Sequence, residues 1–342
     1  MKEMNQRFDE LTKNLAQAAT QRAAQTNFGP ALAGMVLACF TLASSANAGN
    51  PSYTTVDYPR SIWTAATEIN SSGQIVGRYI DIAGTSHGFL LSRGRFFDIT
   101  PPGAIYSRAA GINRNGDIVG DYSASDPKGG KDVHGYLLHR GTFTTIDFPG
   151  AYTTAADGIN QNGDIVGLFT DNGGSSSAGN GYGAQTHHGF LLRAGAFTTI
   201  DFPGANSTEA WKINEDGQIV ERYLSTTDSK FHIYRLIGAN FIPVEDVPGA
   251  VQTAPGGYCH LGGLNLSGDV VSTFSSSTPV LNVVNSQVVQ GLHGFVLTGS
   301  SYGSIDFPGA IASLAYGISD GGLIVGLYEN PDGTIHGFVR IP

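Results

Sequence analysis

From residue 53 onward the chain repeats itself six times at a spacing of about 50 residues, and a fixed period of that length restricts the fold more than any other feature. The clearest copy runs Ala109-Ala110-Gly111-Ile112-Asn113-Arg114-Asn115-Gly116-Asp117-Ile118-Val119-Gly120. After a variable stretch come His134-Gly135-Tyr136-Leu137-Leu138 and then Gly141-Thr142-Phe143-Thr144-Thr145-Ile146-Asp147-Phe148-Pro149-Gly150-Ala151. The Ile-Asn element starts at Ile69, Ile112, Ile159 and Ile213, with looser copies at Leu264 and Ile318. The Pro-Gly-Ala element ends at Ala104, Ala151, Ala205, Ala250 and Ala310. The His element starts at His87, His134, His188, His232, His293 and His336, so six of the nine histidines share one repeat position.

Each copy reads as four strands, a to d. Strand a ends at Ile-Asn, and an Asn/Gly-rich tetrad makes a tight turn because Asn and Gly tolerate positive φ. Strand b is the Ile-Val-Gly segment, strand c starts at the His, and strand d ends before Pro, which cannot donate to a ladder. The 47 glycines beside many Thr, Val, Ile, Phe and Tyr residues fit short strands and tight turns. The chain ends add a constraint. Tyr53-Thr54-Thr55-Val56-Asp57-Tyr58-Pro59 matches strand d with no strand c before it, and His336-Gly337-Phe338-Val339-Arg340-Ile341 matches strand c with no strand d after it. A ring uses both halves, because the borrowed strand covers two open edges. The expected fold is therefore all-β: a six-bladed β-propeller of four-stranded blades, over 49–342, closed by the N-terminal strand pairing into the last blade.

Gly-Ile-Asn-x-x-Gly-x-Ile-Val-Gly followed by His-Gly-Phe resembles the HAF-type bacterial extracellular repeat, over residues 53–342. That resemblance implies an exported bacterial repeat protein and carries no catalytic residues with it.

The leader agrees with export. Residues 31–43 are apolar and precede Ala46-Asn47-Ala48, an A-x-A cleavage pattern before Gly49. Thirteen apolar residues are short for a bilayer span and suit a signal-peptide core. The 30-residue segment ahead of it is unusually long, so an uncleaved anchor and lipidation of Cys39 remain alternatives for residues 1–48. A secreted or periplasmic location follows from each reading. The formal net charge is −9. Residues 49–342 carry −10 of opposing charge, 15 basic against 25 acidic residues, which argues against a nucleic-acid partner or an anionic membrane surface. With two cysteines, one of them in the leader, no disulfide framework exists within a mature chain.

The repeated His has a repeated partner. A two-residue turn at Arg140-Gly141 places His134 opposite Asp147, and His188 with Asp201 and His293 with Asp306 keep the same spacing. His87, His232 and His336 complete the set, with Asp246 and Asp57 as further acceptors and Thr100 standing opposite His87. Opposed residues lie about 5 Å apart at Cβ, so His donates to the carboxylate within each unit. A catalytic site is needed once, whereas a brace is needed in every unit, so a buried structural brace is the reading. The repeated Asn113, Asn160 and Asn214 read as turn residues, and Tyr79, Tyr122, Tyr223 and Tyr328 as packing.

Function should break the symmetry, in loops carried by the scaffold. The b-to-c connections vary most, at 81–86, 123–133, 170–187 and 275–292, and share a face with the Pro-Gly-Ala links. Units four and five depart furthest from the consensus. Glu209, Lys212, Arg222 and His260 form the candidate ligand-binding group, gathered on one side of a central channel if strand a lines it. Cys259 and His260 are neighbours on a strand, so their side chains face opposite ways and make no working pair. No catalytic, metal or cofactor motif is present: there is no Gly-x-Ser-x-Gly, His-Glu-x-x-His or phosphate loop. The expectation is a monomeric binding or surface-interaction module with an extracellular glycan or protein partner. An enzyme acting on an extracellular polysaccharide, a lyase or hydrolase, is the alternative.

Overall fold

The computed structural model describes residues 51–124, 133–171, 186–253, 262–276 and 291–342. The leader with Cys39, and Cys259 and His260, lie outside the described residues. Within them the chain is all strand and turn, with no helix.

Strand β1 (Ser52–Val56) opens the described chain. Unit 1 holds β2 (Trp63–Ile69), β3 (Ile75–Ile80), β4 (Ser86–Ser92) and β5 (Arg95–Ile99), and unit 2 holds β6 (Tyr106–Ile112), β7 (Ile118–Ser123), β8 (Val133–His139) and β9 (Thr142–Ile146). Unit 3 holds β10 (Thr153–Ile159), β11 (Ile165–Thr170), β12 (His187–Arg193) and β13 (Ala196–Ile200). Unit 4 holds β14 (Ala205–Ile213), β15 (Ile219–Ser225), β16 (Phe231–Ile237) and β17 (Asn240–Pro243). In unit 5 the short β18 (Gln252–Thr253) and β19 (Gly263–Leu264) both pair with β20 (Val270–Ser275), followed by β21 (Leu292–Thr298) and β22 (Ser301–Ile305). Unit 6 holds β23 (Ala312–Ile318), β24 (Ile324–Glu329) and β25 (Ile335–Ile341). Within every unit neighbouring strands pair antiparallel in sequence order.

Unit 6 has no fourth strand of its own. β1 pairs antiparallel with β25, from Ser52 opposite Ile341 to Val56 opposite Gly337. The inner strands pack in series: β2 against β6, β6 against β10, β10 against β14, β14 against β19, β19 against β23, and β23 against β2.

Local chemistry explains the elements. The c-to-d connections in units 1 to 3 are two-residue turns with both residues at positive φ: Arg93-Gly94, Arg140-Gly141 and Ala194-Gly195. That geometry matches the twist of the strands it joins. In strand b of units 1, 2, 3 and 6 a glycine (Gly77, Gly120, Gly167, Gly326) answers a close approach. A Cβ on Gly120 would lie 1.9 Å from the Arg108 carbonyl oxygen and 2.8 Å from the Tyr136 ring.

Packing between units is aromatic on the outside. At four seams the ring after strand d lies flat on the strand-b ring: Tyr58 on Tyr79 at 3.6 Å, Phe148 on Phe169 at 3.7 Å, Phe202 on Tyr223 at 3.8 Å and Phe307 on Tyr328 at 3.6 Å between centroids. The strand-b tyrosines thus pack the sheets. The repeated Asn does more than shape its turn. Asn70 Oδ1 accepts from the amides of Ser72 and Gln74, while its Nδ2 donates to the Asn113 carbonyl of the next unit at 2.9 Å. Asn113 reaches Asn160, Asn160 reaches Asn214 and Asn214 reaches Asn265 in the same way, at 3.2–3.3 Å. Each bond satisfies a buried carbonyl of the neighbouring unit, which is costly to leave unpaired.

Deleting residues 51–57 removes β1, its buried Val56 and the Asp57–His336 contact, and uncovers the edge of β25. The melting temperature should fall by at least about 10 °C, read by far-UV circular dichroism. An unchanged melting curve would show that β1 contributes nothing to the array.

Candidate functional site

The inner strands come together at one level through glycine. A Cβ on Gly111 would lie 2.9 Å from the Asp157 carbonyl oxygen, one on Gly158 2.9 Å from Lys212 Cα, one on Gly263 3.0 Å from Gly317 Cα, and one on Gly317 2.8 Å from Glu68 Cα. Four units therefore present bare backbone here. The other two present Glu68 and Lys212, which stand three units apart and meet at 3.1 Å. Lys212 Nζ also donates to the carbonyls of Ala110 at 2.6 Å and Asp157 at 3.0 Å. Glu68 accepts from the Ile69 amide at 3.0 Å, and its carboxyl is pushed up by burial and held down by Lys212. This pair fills the central space. Below it, at the turns between strands a and b, a cavity of about 70 Å³ is lined by polar groups including Asn70, Asn113, Asn214, Arg114 and Asp320. Arg114 and Asp320 approach to 3.5 Å at its rim.

One residue before the glycine level, strand a carries a β-bulge in units 1, 2, 3, 4 and 6. The residues skipped by the register are Thr67, Ala110, Asp157, Trp211 and Tyr316. A bulge re-aims the side chain it carries, and these residues differ from unit to unit. Asp157 accepts from Arg108 of unit 2 at 2.6 Å, and Arg108 also donates to Asp121 at 2.6 Å. Two buried carboxylates thus share one guanidinium. Burial lifts the Asp157 carboxyl to about 6, against the pull of Arg108 and with the added push of Asp121.

Trp211 belongs to a second cluster, in unit 4. Arg222 donates to both Glu209 oxygens, at 2.7 and 2.8 Å. His187 Nδ1 lies 2.9 Å from Glu209, and the Trp211 indole N–H donates to it at 3.3 Å. The Arg222 guanidinium lies 4.1 Å from the Phe231 ring centroid and 5.3 Å from that of Trp211. Glu209 and Arg222 are 2% and 1% exposed. This arrangement holds its charges by mutual pairing.

The expected group is therefore split. Glu209 and Arg222 come together, but Lys212 reaches across to Glu68 instead. His260 lies outside the described residues.

The repeated His residues meet their acceptors: His134 with Asp147 at 2.9 Å, His188 with Asp201 at 3.0 Å, His232 with Asp246 at 3.3 Å, His293 with Asp306 at 2.9 Å and His336 with Asp57 at 2.9 Å. His87 reaches the Thr100 hydroxyl at 3.4 Å. They are not buried, however. The side chains of His134 and Asp147 are 36% and 51% exposed, because the contact lies where strands c and d meet solvent. Exposed pairs of this kind contribute about 0–1 kcal/mol. Several also touch the b-to-c connection, as His232 Nε2 does with Asp228 at 2.9 Å. Among the described residues no group of three or more His, Cys, Asp or Glu side chains is placed to hold a metal ion.

Sequence reasoning missed Glu68, Arg108, Asp121, Asp157, His187 and Arg78. Arg78 and Asp121 occupy the position after the strand-b glycine that drew attention to Arg222, so the same departure from consensus pointed to them. The bulge left no sequence pattern of its own.

No family model matches the chain, and no curated protein matches it. Among solved structures it is similar to a putative TolB from Agrobacterium tumefaciens, with 12% identity and a TM-score of 0.50 over 85% of this chain and 98% of that one. It is also similar to the six-bladed β-propeller lectin of Aleuria aurantia, described for its fucose recognition, with 12% identity and a TM-score of 0.45 over 84% and 93% of the two chains. The β-propeller domain of the trilobed protease from Pyrococcus furiosus follows at 9% identity and a TM-score of 0.42, over 81% and 95%. At such identities only fold is compared.

Replacing Lys212 with Met leaves Glu68 buried without its cation and should cost about 3–5 kcal/mol in urea unfolding. Adding Glu68→Gln should restore much of that loss; a double variant no more stable than Lys212→Met would refute the pairing. The Asp157 carboxyl binds its proton more tightly in the folded state than in the unfolded chain. Its contribution to stability is thus full below about pH 4 and lost as pH rises through about 6. The wild-type urea midpoint should fall across that window, and Asp157→Asn should flatten the fall.

Proposed function

We propose that the chain is an exported, monomeric binding module built as a six-bladed β-propeller of HAF-type repeats, with β1 as the latch that closes the ring. The serial packing of the inner strands and the pairing of β1 with β25 support the ring. The A-x-A pattern and the acidic surface support export to the secreted or periplasmic space.

One observation carries the binding reading. The residue after each Pro-Gly-Ala link, or after Pro59-Arg60-Ser61 in unit 1, lies on the face of the b-to-c connections, and it is apolar in five of the six units, Asn206 of unit 4 being the exception. Ile62 is 61% exposed, Ile105 50% and Val251 36%, and Ile311 and Tyr152 are half-buried at the same repeat position. Ile82, on the unit 1 connection, is 82% exposed. Repeats drift freely at exposed positions, so an aliphatic residue recurring there on one face marks a contact surface. The central charges, by contrast, bind one another and form no convergent acid–base pair with room for a substrate.

A panel of extracellular polysaccharides and oligosaccharides, presented to the purified protein on a glycan array, tests this. Saturable binding should occur without shortening of the bound polymer, and Ile62→Asp with Ile105→Asp should abolish it at an unchanged melting temperature. Steady release of shorter chains would instead assign a polysaccharide-degrading enzyme.

A further inference from the structure

Most of the charged groups near the centre are paired, with one exception in unit 1. Arg78 is half-buried on β3, and its guanidinium lies 4.6 Å from the centroid of the Trp63 ring. It makes no hydrogen bond or ion pair to any described residue. Tyr106, the first residue of β6, is close enough for Arg78 to act on its hydroxyl, which is hydrogen-bonded to Asp121. On the other side of Trp63 is the seam with unit 6. Trp63 pairs with Ile335, and Ile335 pairs with Glu329. Glu329 is 5% exposed, its side chain has no hydrogen-bond partner among the described residues, and burial alone raises its carboxyl. Trp63, Tyr106 and Glu329 all sit at the strand ends on the face of the b-to-c connections. Ile62, Ile82, Ile105 and Ile311 rim the same sector.

We infer that this sector, with Trp63 at its centre and Arg78 and Glu329 on either side, binds an uncharged sugar unit bearing vicinal hydroxyls. The inference rests on the binding-module reading and assigns it residues and a ligand class. The planar fork of Arg78 offers two parallel N–H donors, spaced for oxygens on adjacent carbons. A carboxylate is acceptor-only and takes hydroxyl protons, which is the complementary half of sugar recognition. Trp63, half-buried at the strand end, supplies an amphipathic ring edge to cover an apolar C–H face. One cation and one anion sum to zero, so the sector itself does not select a charged ligand. The net charge of −9 opposes a polyanion at longer range.

The two tryptophans make the test direct. Trp211 is fully buried and Trp63 half-buried, so a ligand-dependent change in tryptophan emission reports on Trp63. The purified protein is titrated with cellotetraose, xylotetraose, mannotetraose and tetragalacturonate, alongside the variants Arg78→Gln and Glu329→Gln. At least one neutral tetrasaccharide should give a saturable change, weakened tenfold or more by Arg78→Gln at an unchanged melting temperature. Glu329→Gln should weaken it in the same direction. Tighter binding of tetragalacturonate than of every neutral probe would overturn the uncharged class. Neutral binding that ignores both substitutions would overturn the site while leaving the binding module intact. Silence toward all four probes would overturn the sugar assignment, and the polymer array would then decide the module reading separately.

Discussion

Where the inner strands meet, a single added carbon is enough to collide. Glycines 111, 158, 263 and 317 bring backbone against backbone, and that closeness governs what else the centre contains. Space remains for two long side chains, and two buried charges of one sign would be prohibitive there. Glu68 and Lys212 satisfy both limits by reaching from units three apart and neutralising each other. The centre is thereby filled by a charge pair, and a ligand has more room on the faces of the array than along its axis.

The same closeness explains why the inner strands are bulged. An extra residue in strand a lets the ladder with strand b continue while one side chain is turned out of register. The scaffold stays constant and the bulge residue varies: Asp157 joins a guanidinium shared with Asp121, Trp211 stacks beside Arg222, and Tyr316 packs with the apolar cluster that includes Leu314 and Trp63. The bulge residues are thus ionic or ring-stacked in units 3 and 4 and apolar in unit 6. Arg78 of unit 1 and Glu329 of unit 6 stand out because neither makes an ion pair among the described residues, whereas Glu68, Lys212, Arg108, Asp157, Glu209 and Arg222 are all paired.

The outer part of each unit obeys different physics. Stacked rings seal one sheet to the next, and the His–Asp contacts lie beyond them in partial contact with water. Those contacts recur in nearly every unit because the two-residue turn dictates their register, yet their exposure makes each worth little. Repetition in the sequence reports geometry that recurs, and it does not report how much energy the recurring contact contributes.

Most of the strand plan was legible in the residues, since the Ile-Asn turn, the His-led strand and the terminal Pro mark each unit by local chemistry that acts within a few positions. The complementary halves at the two chain ends likewise pointed to the pairing of β1 with β25. The pairings at the centre were not legible. Glu209, Lys212 and Arg222 look like one group along the chain, but Glu209 pairs with Arg222 while Lys212 reaches Glu68 of unit 1. Glu68 and Lys212 are 144 positions apart, and only the packing of the inner strands one on the next brings them together. Local periodicity determined the elements and their order, because turns and ladders depend on neighbours. Which charges meet, and which are left over, was decided by tertiary structure, because it depends on how closely the inner strands of different units approach one another.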